Sequence, residues 1–118
     1  MQLNNFIRFT ALVLFTAMLL LLFIGGSQPV AVNLFPAPWD KLVHCITFGA
    51  MLIIASLAFP KIKPAYLLVI IITIGALDEI HQIYLPGRSP GFDDLAADLA
   101  GGLLAVVLIK IFMHFKTK

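Results

Sequence analysis

Two acids, a histidine and an amide follow a long apolar stretch in the second half of the chain. Residues 65–77 are apolar apart from Tyr66 and Thr73. The next polar residues are Asp78, Glu79, His81 and Gln82. Two carboxylates beside an imidazole can carry out general acid–base catalysis, and the same groups are ligands for a divalent metal ion. The sequence has no HExxH or comparable spacing, so both chemistries remain open.

A proline–glycine–arginine turn comes shortly after this segment. The planar guanidinium group of Arg88 suits a phosphate or carboxylate on a ligand, and Gly87 leaves room for the ligand to approach the backbone. Lys41, at the start of an earlier apolar stretch, is a second candidate for holding an anionic group. Both cations also have structural interpretations. Arg88 can pair with Asp78 or Glu79, and the Lys41 side chain can extend to the lipid headgroups.

Further ionisable residues stand at the start of two other apolar stretches. Helix geometry places Asp40, Lys41 and His44 within an arc of about 100°. On another helix, Asp94 and Asp98 lie one turn apart. Asp40 is also suited to capping a helix N-terminus, which is a purely structural role. We expect these polar sectors to face each other inside a bundle, because charged side chains that face lipid are strongly disfavoured.

The composition indicates a membrane protein. Of the 118 residues, 61% are hydrophobic and 12% are charged, whereas about a quarter of the residues in soluble domains are charged. Four stretches approach the roughly 20 apolar residues that a helix needs to cross a bilayer. They are residues 6–24, 42–59, 65–85 and 95–115. We therefore predict one integral-membrane domain over residues 1–118, an all-α four-helix transmembrane bundle. Cleavage of the first stretch as a signal peptide is an alternative.

The distribution of lysine and arginine predicts how the helices are oriented. With a cytoplasmic N-terminus, most of these residues lie on the inner side: Arg8, Lys61, Lys63, Lys110, Lys116 and Lys118. Only Lys41 and Arg88 lie on the outer side, so the positive-inside rule places both termini in the cytoplasm. All 6 acids are then near the outer face. The net charge of +2, with scattered basic residues, argues against a nucleic-acid partner.

Small residues recur every fourth position in the last apolar stretch. Ala97, Gly101 and Ala105 form a small-xxx-small series, which lets another helix approach closely. This series can pack within the bundle, where it would bring Asp94 and Asp98 towards the other helices. It can equally join two copies of the chain, so an oligomer through these three residues is a second interpretation.

Two segments of the chain resemble the VanZ-like membrane protein family. They are "DKLVHCITFGAML" and "DEIHQIYLPGRSPGFDDLAADLAGGLLA", within residues 39–105. The family shows D-K-x-x-H-x-x-x-F, then D-E-x-x-Q followed by P-G-R, then an aspartate ahead of a glycine-containing last helix. The matching residues are Asp40, Lys41, His44, Phe48, Asp78, Glu79, Gln82, Pro86, Gly87, Arg88, Asp94 and Gly101. Asp98 departs from the pattern, because many members have asparagine there. An extra acid at this position would alter the charge balance of the site.

The resemblance implies a multi-pass protein of the bacterial cytoplasmic membrane. It also implies an association with the cell envelope and with resistance to the lipid-tailed glycopeptide antibiotic teicoplanin. It brings no agreed reaction or ligand, so whether the protein is an enzyme stays open.

These observations lead to one main hypothesis, an outward-facing site that binds or modifies a lipid headgroup or cell-envelope precursor. Asp78, Glu79 and His44 are the candidate catalytic residues, or metal ligands if a divalent metal is the cofactor. The candidate substrate-binding residues are Arg88, Lys41, Gln82, Asp94 and His81. The alternative is a non-enzymatic structural or partner-binding subunit whose charges form an ion-pair network. Proton or ion translocation is less favoured, because the inner halves of the spans have few polar residues.

Overall fold

The computed structural model describes residues 4–88 and 91–118. Within these ranges the chain forms four α-helices and contains no strand. The helices are α1 (Asn5–Phe23), α2 (Trp39–Ala58), α3 (Pro64–Ile83) and α4 (Phe92–Lys116). Two short 3-10 turns, Gly25–Ser27 and Pro29–Ala31, lie in the connection between α1 and α2. The prediction of an all-α fold is confirmed.

Each of the four helices is long and apolar enough to cross a membrane. Their outer surfaces carry many exposed large apolar side chains, as lipid-facing surfaces do. The protein is therefore a multi-pass membrane protein. α1 is the most peripheral helix, since Ala11 is its only buried residue among those the structure describes.

Two helices begin earlier than the apolar stretches predicted. α2 begins at Trp39 rather than at residue 42, and α4 begins at Phe92 rather than at residue 95. The additional first turns contain acidic residues, among them Asp40 and Asp94. Carboxylates are favourable there because a helix N-terminus carries a partial positive charge. Hydropathy alone excluded these polar turns from the predicted spans.

α2 is the central helix of the bundle. It packs most extensively on α4 and also contacts α1 and α3. The buried core lies between these helices and consists of Phe48, Met51, Leu52, Ala55, Leu67, Ile71, Ala105 and Val106. α1 packs chiefly on α2 and touches α3 only lightly.

The close approach of α2 and α4 depends on Gly101. A Cβ atom at this position would collide with the backbone carbonyl of Cys45, which cannot move without shifting α2. On the opposite side, a Cβ atom at Gly49 would lie 3.0 Å from the Gly101 carbonyl oxygen. Gly101 and Ala105 are both buried in this way within one chain. The small-residue series is thus already used inside the bundle, while oligomerisation through Ala97, Gly101 and Ala105 stays a prediction.

Candidate functional site

The polar residues of α2, α3 and α4 meet at one end of the bundle. The N-terminal turns of α2 and α4 lie there beside the C-terminal turns of α3, because α2 and α4 run antiparallel to α3. Five of the acidic or amide side chains are buried: Asp78, Glu79, Gln82, Asp94 and Asp98. Buried polar groups of this kind must find hydrogen-bonding or charged partners to be tolerated.

Lys41 joins the beginnings of α2 and α4. Its Nζ atom lies 2.7 Å from an Asp40 carboxylate oxygen, 3.1 Å from Asp93 and 2.5 Å from Asp94. The Asp94 side chain is 10% exposed, whereas that of Asp93 is 70% exposed. The ion pair with Asp94 is therefore the one shielded from solvent. Of the candidate binding residues, Lys41 and Asp94 are thus engaged with each other.

His44 and Asp98 form the most deeply buried polar pair. His44 Nδ1 lies 2.7 Å from Asp98 Oδ1, and the Asp98 side chain is fully buried. The imidazole also stacks on Phe48 one turn further along α2. Because Nδ1 is engaged, Nε2 is the ring nitrogen left for other partners. Asp98 was absent from the predicted site residues. Its position one turn after Asp94, on the stripe that contains Gly101, was the signal that could have identified it.

A glycine of α3 provides the space for the Asp98 carboxylate. A Cβ atom at Gly75 would lie 2.7 Å from Asp98 Oδ2. Any larger residue at this position would therefore press on the carboxylate. α4 directs the Asp98 side chain towards α2. The helices pack so closely here that α3 also contacts this side chain.

Asp78, Glu79 and Gln82 occupy the last turns of α3. The Gln82 amide donates a hydrogen bond to Asp78 at 3.1 Å. Glu79 accepts one at 3.0 Å from the backbone N–H of Gly91, the residue that precedes α4. A carboxylate in this place stabilises a helix N-terminus. Glu79 therefore links the end of α3 to the beginning of α4.

Arg88 contacts the connection between α1 and α2. Its Nη1 atom donates a hydrogen bond to the Ala31 carbonyl oxygen at 3.0 Å. The preceding Gly87 has a φ of 76°, which favours glycine, and its backbone passes close to the Val32 side chain. Among the described residues, Arg88 forms no ion pair with Asp78 or Glu79.

The described part of the chain encloses a cavity of about 670 Å³ at this end of the bundle. Its polar lining comes from the connection between α1 and α2, from α2, α3 and α4, and from the turn after α3: Asn33, Asp40, His44, Thr47, Asp78, Gln82, Arg88 and Asp94. Its apolar lining includes Met18, Leu21 and Leu22 of α1. The cavity thus has a charged wall and a hydrocarbon wall. Among the candidate residues, Lys41 and Glu79 do not line the cavity.

His81 is the candidate residue that stands apart from this group. Its ring packs on Phe23 of α1, with the ring centroids 5.8 Å apart, and it does not line the cavity. On a helical wheel, His81 falls in the same arc as Asp78 and Gln82. It lies at the edge of that arc, and in the structure this edge faces α1. The sequence pattern alone contains no sign of this neighbour.

Several buried polar atoms in and around the cavity have no hydrogen-bond partner among the described residues. They are Asp40 Oδ1, Glu79 Oε1, Arg88 Nε and Asp98 Oδ2. Such atoms are rare in folded proteins, and each calls for an explanation such as a bound ion or ligand. Their concentration around one cavity marks it as the candidate functional site.

A comparison with known families agrees with the resemblance noted within residues 39–105. The VanZ/LLP1 family model matches residues 1–113 of the chain. No curated protein and no solved structure matched. The match extends over nearly the whole sequence and includes α1, α2, α3 and most of α4. This chain therefore belongs to the VanZ/LLP1 family.

Proposed function

We propose that this protein binds or modifies a lipid headgroup or a cell-envelope precursor at the outer face of the bacterial cytoplasmic membrane. The observation that carries the proposal is the cavity with one charged wall and one hydrocarbon wall. An amphiphile has the same two parts, a polar headgroup and an apolar tail. A soluble polar metabolite would gain nothing from Leu21 and Leu22, and a wholly apolar molecule would leave the charged wall unpaired.

The charged wall supports separate roles for anion binding and for acid–base chemistry. Arg88 lines the cavity, and its buried Nε atom has no partner among the described residues, so the guanidinium group can hold an anionic part of the headgroup. His44 and Asp78 line it as well and are the groups that can transfer a proton to or from a ligand. Gln82 is suited to hydrogen bonding with the headgroup, and Glu79 supports the wall through its contact with Gly91.

The experiment that tests this proposal compares the lipids that copurify with the wild type and with Arg88→Gln. The wild-type protein, extracted in mild detergent and washed extensively, should retain about one lipid molecule per chain. These molecules should share one specific headgroup class. Arg88→Gln should retain several-fold less, because the anionic group loses its charged partner. Arg8→Gln is the matched control, since Arg8 is exposed near the start of α1, away from the cavity.

Cells that carry the same variants test the physiological part of the proposal. Expression of the wild type or of Arg8→Gln should change both the pool of the retained lipid or precursor and the susceptibility to teicoplanin. Expression of Arg88→Gln should change neither. Retention of nothing but bulk phospholipid, equal in all three proteins, would contradict the proposal.

A structural function is the second candidate, and the Lys41 ion pairs favour it. Lys41 binds acids of both α2 and α4, so part of the charged group does hold the helices together. If the whole group had this role, each buried charge should have a partner of opposite sign. Asp78 has only the Gln82 amide, and Glu79 has only a backbone N–H, among the described residues. These two acids are the reason for preferring a binding site.

A further inference from the structure

Three helices direct one metal-ligating side chain each towards a common point. His44 comes from α2, Glu79 from α3 and Asp98 from α4. One ligand atom of each lies within 4.8 Å of the other two. The three residues are far apart in the sequence, so no local turn or helix cap accounts for their meeting. Helix packing alone, including the space left by Gly75, brings them together.

Two oxygen atoms of this group are buried and have no partner in the described residues. They are Glu79 Oε1 and Asp98 Oδ2. Glu79 is 9% exposed and Asp98 is fully buried, so solvent cannot readily compensate for the missing contacts. Both side chains already use their other oxygen, Glu79 on the Gly91 N–H and Asp98 on His44. The other oxygen of each carboxylate has a partner, so Glu79 Oε1 and Asp98 Oδ2 are the atoms that still need an explanation.

Neither nearby cation pairs with Glu79 or Asp98 among the described residues. Lys41 pairs with Asp40, Asp93 and Asp94, and Arg88 donates to the Ala31 carbonyl. The carboxylates of Glu79 and Asp98 therefore lack a permanent positive partner among the described residues. Two buried carboxylates without a cation are strongly unfavourable unless they bind protons or a cation. A divalent ion would neutralise both at once.

We propose that His44, Glu79 and Asp98 bind a divalent transition-metal cation, with Zn²⁺ and Mn²⁺ as the best candidates. The imidazole suits Zn²⁺, and the two carboxylates suit the harder Mn²⁺. Ligand atoms around such an ion stand roughly 3.3 Å apart, as its bond lengths of about 2.0–2.1 Å require. This proposal goes beyond the proposed lipid site and does not depend on it.

The position of the ion would connect it to the cavity. His44 is the ligand that lines the cavity, while Glu79 and Asp98 lie behind it. With three protein ligands, the ion keeps a coordination position open towards the cavity for water or for an oxygen of a bound headgroup. Binding requires His44 to release the Nδ1 proton, or to turn Nε2 towards the ion, because a ligating nitrogen must be unprotonated.

Metal titration of the purified full-length protein tests the proposal. The protein is stripped with a chelator in lipid-free detergent and titrated with MnCl₂ and with ZnCl₂. Free Mn²⁺ is followed by electron paramagnetic resonance, and retained Zn²⁺ by elemental analysis after desalting. We expect one ion per chain. Asp98→Asn and Glu79→Gln should each weaken binding by at least tenfold, since losing even an outer-shell partner costs about 10–100-fold.

Two control variants separate this site from general binding of cations to acids or histidines. Asp93→Asn removes a carboxylate at the same end of the bundle whose side chain is 70% exposed. His114→Ala removes an exposed histidine near the end of α4. Both should bind like the wild type. The proposal is overturned if folded wild-type protein takes up neither ion stoichiometrically, or if Asp98→Asn and Glu79→Gln bind as tightly as the wild type.

A measurement on the wild type covers the case in which the variants do not fold. The electron spin echo of the Mn²⁺-loaded protein should show nitrogen modulation from the coordinated imidazole. Bound Mn²⁺ without that modulation would overturn the proposal. All these measurements are made without lipid, so failure to find a bound lipid leaves their outcome unaffected.

Discussion

At the scale of single residues, Lys41 and Asp78 represent two kinds of buried charge. Lys41 has three acidic neighbours, of which Asp94 is largely buried. Asp78 has a hydrogen bond from Gln82 and, among the described residues, no cationic partner. The first arrangement stabilises the packing of α2 on α4. The second is unfavourable for folding, as expected of a group retained for binding.

This difference predicts opposite effects of neutralising the two residues. Lys41→Gln should lower the free energy of unfolding by about 1–3 kcal/mol, because it leaves the Asp94 carboxylate without its cation. Asp78→Asn should leave stability unchanged or raise it by up to about 2 kcal/mol. Thermal unfolding in matched detergent measures both, with Lys61→Gln as an exposed control. A loss in Asp78→Asn as large as that in Lys41→Gln would favour the structural function instead.

The individual contacts of the site could be predicted only in part. The helical periodicity of the polar residues was sufficient to predict that His44, Asp78 and Asp94 face the bundle interior at one end. The pairing of His44 with Asp98 depends on the rotation and separation of α2 and α4. Neither quantity is encoded in the periodicity of either helix, so the pairing could not be predicted, although periodicity did place Asp98 on the same face of α4 as Asp94. His81 was included for the same reason, because nothing in α3 indicates that Phe23 lies beside it.

At the scale of elements, two adjacent glycines of α4 differ in what surrounds them. Gly101 faces the backbone of Cys45 on α2. Gly102 faces the end of the Leu68 side chain, which can move. Overpacking against backbone forces two helices apart, whereas overpacking against a flexible side chain needs only a change of rotamer.

Alanine substitutions at the two glycines should therefore have unequal effects. Gly101→Ala should destabilise the protein by about 3 kcal/mol, near the upper end for overpacked cores. Gly102→Ala should be nearly neutral, since better helix propensity offsets the displaced leucine. Unfolding by heat or by a denaturing detergent compares them directly. Equal losses in the two variants would show that α2 and α4 are not packed as closely as described.

The sequence was sufficient to predict that the four helices exist, but not where α2 and α4 begin. Four apolar stretches sufficed for the four helices of the fold. The first turns of α2 and α4 contain acids, so hydropathy left them outside the predicted apolar spans. These turns supply Asp40, Lys41 and Asp94, which helix geometry had nevertheless predicted to lie on the two helices.

At the scale of the whole molecule, the even number of helices places both termini at the end opposite the cavity. The lysine and arginine distribution predicts that this end is cytoplasmic. Reporter fusions at the C-terminus should thus read as cytoplasmic, and a fusion after Arg88 should read as external. A fusion after Lys61 is the internal control, because it lies in the opposite connection between α2 and α3. A cytoplasmic signal after Arg88 would reverse the orientation and move the site to the inner leaflet.

An apolar core lies between the cavity and the opposite end of the bundle. Phe48 and Met51 of α2 and Ile71 of α3 are buried there. On its helix, each lies further from the cavity end of the bundle than the polar residues do. A proton or ion leaving the cavity inwards would enter tightly packed hydrocarbon, where an unpaired charge is strongly disfavoured. We therefore expect a membrane that contains this protein to remain an electrical insulator and to keep its voltage. We also expect the occupant of the cavity to exchange with one leaflet only.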